Sequence, residues 1–230
     1  MVLMSSCLIV GAGDDTGAAI ARAFAREGLG VYLVRRKRHA EQLEALAQSI
    51  RDEGNLAMAV PTDARDEEAM IALVDRIEAE CGPLEVVVFN IGANVRFSVT
   101  ETTARVYRKV WEMAAFAGFL TGREAARVMA PRRRGTIIFT GATASIRGGA
   151  GYSAFAGAKH ALRALAQSMA RELGPRNIHV AHVIVDGAID SNFIRENLPD
   201  VDSKRDEDAI LNPDHIAQNY VMLHNQPRSA

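Results

Sequence analysis

Several things are scarce in this 230-residue chain, and each scarcity closes off a class of function. The longest apolar runs, such as 86–89 and 137–139, fall far short of the roughly 20 residues that span a bilayer. No membrane span is therefore expected. There are only two cysteines, Cys7 in an apolar run and Cys81 at a helix end, so neither a disulfide framework nor a thiolate metal cluster is expected. Net charge is nearly absent as well, at −1, which removes any general attraction to nucleic acid despite short basic runs at 35–38 and 132–134. The six histidines show no ligand spacing. His179 and His182 lie three apart on a strand, which points them to opposite faces, and no metal is expected. The opening MVLMSSCLIVGAG has no basic region before its apolar stretch and reads as a first strand, which makes the cytoplasm the default location. Internal repeats, linkers and low-complexity tracts are not seen.

What the chain does have is alternation. Apolar runs of strand length at 7–10, 31–34, 56–60, 86–89, 136–139 and 179–185 are separated by helical patterns at 18–26, 40–51, 67–80, 105–129 and 152–173. Strands that are apolar throughout suit a parallel sheet covered on both faces. The composition, 48% hydrophobic and 24% charged, is enough for one core. The fold class predicted is α/β, a doubly wound parallel sheet in a single domain. Glycines at 28, 30, 54, 82 and 174 fall where helices stop. The stretch 188–212 is polar, acidic in its middle and without sustained period, and reads as a mobile substrate-side segment or lid before a last helical pattern at 213–224.

The first strand runs into Gly11, Ala12, Gly13, Asp14, Asp15, Thr16 and Gly17 and then into a helix. A glycine turn there lets backbone approach a pyrophosphate, while the helix N-terminus supplies amide donors. Asp14 and Asp15 put carboxylates near the phosphates, and Asp15 also reads as an N-cap for the helix. After the second strand comes Arg35-Arg36-Lys37-Arg38 with no acidic residue, a pattern that favours the 2′-phosphate of NADP over the bare ribose of NAD, with NAD still possible.

These motifs, taken with 137–159 (IIFTGATASIRGGAGYSAFAGAK), resemble the short-chain dehydrogenase/reductase family over roughly residues 8–187. The resemblance implies a Rossmann-type fold, an NADP or NAD cofactor and a small carbonyl or alcohol as substrate. It implies cofactor contacts at Gly11, Gly13, Asp15, Thr16, Gly17, Arg35, Arg36, Asp63, Ala64, Asn90, Gly92, Lys159, Gly187 and Ser191. It also implies a homodimer or homotetramer built through the helices of 105–129 and 152–173, and one more strand than the chain displays.

The family's chemistry needs Asn, Ser, Tyr and Lys. Aligned on Lys159, the Tyr position is Phe155, the Ser position Ala142 and the Asn position about Ala115. Replacement groups are Tyr152, seven residues before Lys159 and so on nearly the same helix stripe about 10 Å away, and Ser145 or Thr143 in the loop, which equally read as hydroxyls bonded to backbone. Lys159, Tyr152 and Ser145 form the candidate catalytic set. Asp186 stands where the family usually carries Pro and reads as a turn residue, a substrate contact or a substitute acid or base, while Phe193, Ile194 and Leu198 read as lining a lid or sealing the core. An oxidoreductase with an altered acid/base set and a dinucleotide-binding protein without catalysis are both compatible with this pattern.

Overall fold

The computed structural model describes residues 4–13, 15–197, 201–207 and 209–227. Six strands form one parallel sheet in the order β3-β2-β1-β4-β5-β6. They are β1 (Ser6–Val10), β2 (Gly30–Arg35), β3 (Ala57–Pro61), β4 (Leu84–Phe89), β5 (Gly135–Ala142) and β6 (Ile178–Val185). Helices α1 (Thr16–Arg26), α2 (Ala40–Asp52), α3 (Glu67–Glu80), α4 (Ala104–Trp111), α5 (Ala117–Arg132) and α6 (Ser153–Leu173) make the crossovers, and α9 (Pro213–Asn225) follows two short helices, α7 (Asn192–Asn197) and α8 (Val201–Asp206).

Alternation along each strand divides the core into two layers. Cys7, Ile9, Leu33, Val88 and Ile138 point toward Ile20 and Phe24 of α1, Leu43 and Ile50 of α2 and Tyr220 of α9. Leu8, Val10, Val87, Phe89 and Phe139 point toward Val74 of α3, Met129 of α5 and Leu162 of α6. Both faces are thus apolar because both are covered, and the near-continuous Val/Ile/Leu runs follow from that. A buried bond between Thr140 Oγ1 and the Tyr220 hydroxyl, 2.8 Å, ties α9 to β5. His179 and His182 do fall on opposite faces: His179 lies beside His224 of α9, whereas His182 packs by Gly141 on the α6 side.

Helix entry is set by short polar caps. The Asp66 carboxylate accepts from Ala69 N at 3.1 Å, Thr103 Oγ1 from Val106 N at 3.2 Å, and Asn212 Oδ1 from Asp214 N at 2.8 Å. The helical pattern read over 105–129 is interrupted by one π-helical turn, Glu112–Phe116, so that α4 and α5 are distinct. The stretch 188–212 carries more structure than its sequence suggests. Ile189 bridges Leu211, and the buried Asp190 carboxylate accepts from Arg195 Nε at 2.8 Å and Arg205 Nε at 2.9 Å. These bonds clamp the two arms of that segment together.

Candidate active site

The strand order reverses between β1 and β4, and the crevice outside the carboxyl ends of these strands is where a doubly wound sheet takes its ligand. Gly11 leaves β1 with φ +95°, and a Cβ there would stand 2.8 Å from Asn90 C and O, so no side chain is tolerated. A Cβ on Gly17 would meet Gly11 O at 2.4 Å, which fixes how closely α1 approaches the turn. Gly13, by contrast, faces open space. A backbone cradle with one bare face, at the start of a helix, fits a diphosphate. Asn90 closes the crevice from the other side, its Nδ2 donating to Gly11 O at 3.1 Å.

The crevice has a volume of about 860 Å³. Gly11, Gly13, Asp15, Thr16, Gly17 and Arg35 line one part of it; Asn90, Gly92, Tyr152, Lys159, Gly187 and Ser191 line the rest. An adjoining hollow of about 230 Å³ holds Arg36, Asp63 and Ala64. Asp14 and Leu198 lie outside the described residues, as does the side chain of Phe193. Asp15 occupies the N-cap position of α1, but its side chain makes no capping bond. The Arg195 guanidinium is stabilised chiefly by Asp190 and, to a smaller extent, by Asp15, so the carboxylate in the glycine turn is felt across the crevice on α7.

The basic side of the hollow is crowded. Burial, and then the neighbouring Arg38, Arg65 and Arg35, lower the pKa of Arg36, with Asp63 acting in the opposite sense. Asp63 is committed to Arg65, which donates Nε at 3.0 Å and Nη2 at 2.6 Å to its carboxylate, and this bond holds its pKa down. Arg65 also pairs with Glu112 at 3.7 Å, so Arg35, Arg36 and Arg38 are the guanidiniums that leave an excess of positive potential.

Lys159 stands at the other end of the crevice. It is 2% exposed, and its Nζ donates to Ile91 O at 3.0 Å and Thr140 O at 2.8 Å. Burial pushes its pKa down to about 7 in spite of both bonds. The Phe155 ring lies over it, with Nζ 5.9 Å from the centroid. Ala142 also lines the crevice, so Phe155 and Ala142 both present hydrocarbon to it. Ala115 is buried in the π turn.

Tyr152 lines the crevice and stacks with Arg96, whose Cζ is 5.9 Å from the ring centroid. Ser145 is not brought to the crevice. It is fully buried, and its Oγ accepts from Ala142 N at 3.1 Å, which braces the loop from beneath. Asn94, Arg147 and Ile189 line the crevice without having been singled out in the sequence; Asn94 lies four residues past Asn90 in a stretch that reads only as a turn. The described residues contain no group of three His, Cys, Asp or Glu side chains able to hold a metal.

The family model for short chain dehydrogenases matches residues 5–201. The chain belongs to the short-chain dehydrogenase family. With that family comes NAD(P)-dependent oxidoreductase chemistry as the general class, and the crevice of this short-chain dehydrogenase has the cradle such a cofactor needs. Cis-4-hydroxycyclohexanecarboxylate dehydrogenase of Sinomonas cyclohexanicum is 31% identical over 188 residues, 81% of this chain and 74% of that protein. (-)-trans-Carveol dehydrogenase of Rhodococcus erythropolis is 30% identical over 185 residues, 75% of this chain and 67% of that protein. The crystal structure of a short-chain dehydrogenase from Rhodopseudomonas palustris is 47% identical, with a TM-score of 0.83 over 98% of this chain and 94% of that one.

Proposed function

We propose that this short-chain dehydrogenase is an NADP(H)-dependent oxidoreductase acting on a small alcohol or carbonyl, with an acid/base set that differs from its relatives'. One observation carries the reading: the bare glycine cradle, Asn90 and the buried Lys159 all face a single crevice of about 860 Å³. The guanidiniums around Asp63 favour a cofactor bearing a 2′-phosphate. Gly11, Gly13, Thr16 and Gly17 would hold the diphosphate, Arg35 and Arg36 the 2′-phosphate, and Lys159 the nicotinamide ribose. Bound there, the nicotinamide would supply the hydride chemistry. Phe155 and Ala142 beside it favour an apolar substrate body, in keeping with cyclic secondary alcohols such as the one named for the Sinomonas relative.

A second reading, dinucleotide binding without turnover, is favoured by the hydrocarbon at Ala142, Phe155 and Ala115. Calorimetry with NADP⁺ and NAD⁺, followed by a dehydrogenation assay over cyclic secondary alcohols, separates the two. Tight NADP⁺ binding that falls on the order of 10-fold in Arg36→Ala, with measurable NADPH formation, is the expected result. Binding without turnover of any substrate selects the second reading, and failure to bind either dinucleotide rejects both.

No helix among the described residues is long and apolar enough to cross a membrane. The outer face of α4 and α5 carries Trp111 stacked on Phe116 at 6.0 Å and Phe116 on Phe119 at 6.3 Å, with Trp111 and Phe119 each about two-fifths exposed. An aromatic stripe of this kind supports a homodimer formed through that face.

A further inference from the structure

The loops that leave β5 and β6 meet above the crevice. The two strands pair to their last residues, Ala142 opposite Val185, so Thr143 and Asp186 are the first residues beyond a matched pair of strand ends. Their side chains join there, Thr143 Oγ1 donating to Asp186 Oδ1. A carboxylate only accepts, so the single hydroxyl proton of Thr143 is committed to it. What Thr143 then presents to the crevice, which it lines, is oxygen lone pairs. A carbonyl oxygen needs a donor; an alcohol O–H needs an acceptor. Next to the hydrocarbon of Ala142 the wall offers an acceptor.

We propose that Thr143 and Asp186 form a proton-accepting arm that draws the hydroxyl proton from an alcohol substrate, an inference that rests on the oxidoreductase reading above. The substrate O–H proton passes to Thr143 Oγ1 as the proton of Thr143 passes to the Asp186 carboxylate. The C–H bond at the carbinol carbon breaks, its hydrogen and electron pair leaving together as hydride for the oxidised nicotinamide dinucleotide, and the electron pair left on the substrate oxygen closes the C=O bond. Asp186 is exposed and returns the proton to water. Thr143 is the catalytic residue in this scheme and Asp186 the positioning residue that polarises it. Carbonyl reduction would retrace the same two proton transfers in reverse.

The test uses the full chain with NADP⁺ and two probes, cyclohexanol and cis-4-hydroxycyclohexanecarboxylate. Thr143→Val and Asp186→Asn should each lower kcat about 10²-fold, the size of a lost general base, with KM moved less than about 3-fold. Added formate should restore turnover to Asp186→Gly, which a purely structural role would not allow. Apart from turnover, a ¹⁹F NMR titration with trifluoroethanol, an alcohol that resists oxidation, should show about 10-fold weaker binding in Thr143→Val and near-native binding in Thr143→Ser. An active enzyme whose kcat is unchanged by both substitutions overturns the arm and leaves the oxidoreductase reading standing. No oxidation of either probe by the native chain overturns the arm together with that reading for cyclic alcohols.

Discussion

The imidazole of His182 fills the space that a side chain at Gly141 would need: a Cβ on Gly141 would stand 2.3 Å from His182 Cε1, 2.6 Å from Nε2 and 2.8 Å from Ser145 Oγ. Gly141 therefore keeps β5, β6 and the loop above the crevice in one arrangement. Gly141→Ala should cost about 1–3 kcal/mol in urea unfolding, the usual range for overpacking. His182→Ala in the same chain should recover part of that loss, because the two shortest contacts are to that ring and the third, to Ser145 Oγ, stays. Equal losses in the single and double variants would show that His182 is not what excludes the methyl group.

Lys159 gives a pH signature. Its folded pKa, near 7, lies below the ordinary lysine value, so between those two values the unfolded chain holds more protons and stability rises with pH. The rise is at most about 1.4 kcal/mol per pH unit, or about 3 kcal/mol from pH 7 to pH 9. Lys159→Met should be the more stable protein at pH 7, and its lead over the native chain should shrink toward pH 9. The comparison stops there because the buried Cys7 thiol and Tyr220 phenol, both with raised pKa, favour unfolding at higher pH in either chain. A lead that stays constant with pH would mean that Lys159 does not titrate in this window.

Restoring the relatives' hydroxyls tests the crevice from the other direction. Phe155 lies over Lys159, and if it stands at the family's Tyr position, as the sequence resemblance implies, Phe155→Tyr combined with Ala142→Ser should raise kcat on the order of 10²-fold toward cyclic secondary alcohols. Steady-state kinetics with NADP⁺ reads it out, and an unchanged kcat would place the substrate oxygen away from residue 155.

The aromatic stripe predicts association. Trp111→Glu should bury a charge between the two copies, and light scattering at micromolar concentration should show the native dimer mass halved in the variant. A monomer mass for the native chain would remove this face as an interface.

The sheet was legible because its strands are buried on both sides, and a continuous apolar run such as Val86 to Phe89 can hardly be anything else once helices flank it. The glycine cradle was legible for a related reason: Gly11 and Gly17 are demanded by backbone contacts that any side chain would break. The break between α4 and α5 was not, because a π turn at Glu112–Phe116 keeps the apolar period almost intact and only shifts one hydrogen-bond step. Ser145 reads either as a hydroxyl that orients a substrate oxygen or as one that bonds to backbone, and the bond it accepts from Ala142 N turns it inward. Thr143 and Asp186 are each visible in the sequence. Their bond is not, since 43 residues separate them and only the register of β5 on β6 brings them together.

That β1 is flanked by β2 and β4 has a consequence for how the chain is made. Val10 pairs with Val34 on one side but with Phe89 on the other, so one edge of β1 is completed early in synthesis and the other only after the β3 and α3 segments have been added. Until β4 arrives, a fully apolar strand shows an unsatisfied row of amides and carbonyls to the cell. The growing polypeptide is then most exposed to self-association, and substitutions in β4 that weaken its pairing with β1 are the ones that prolong that interval.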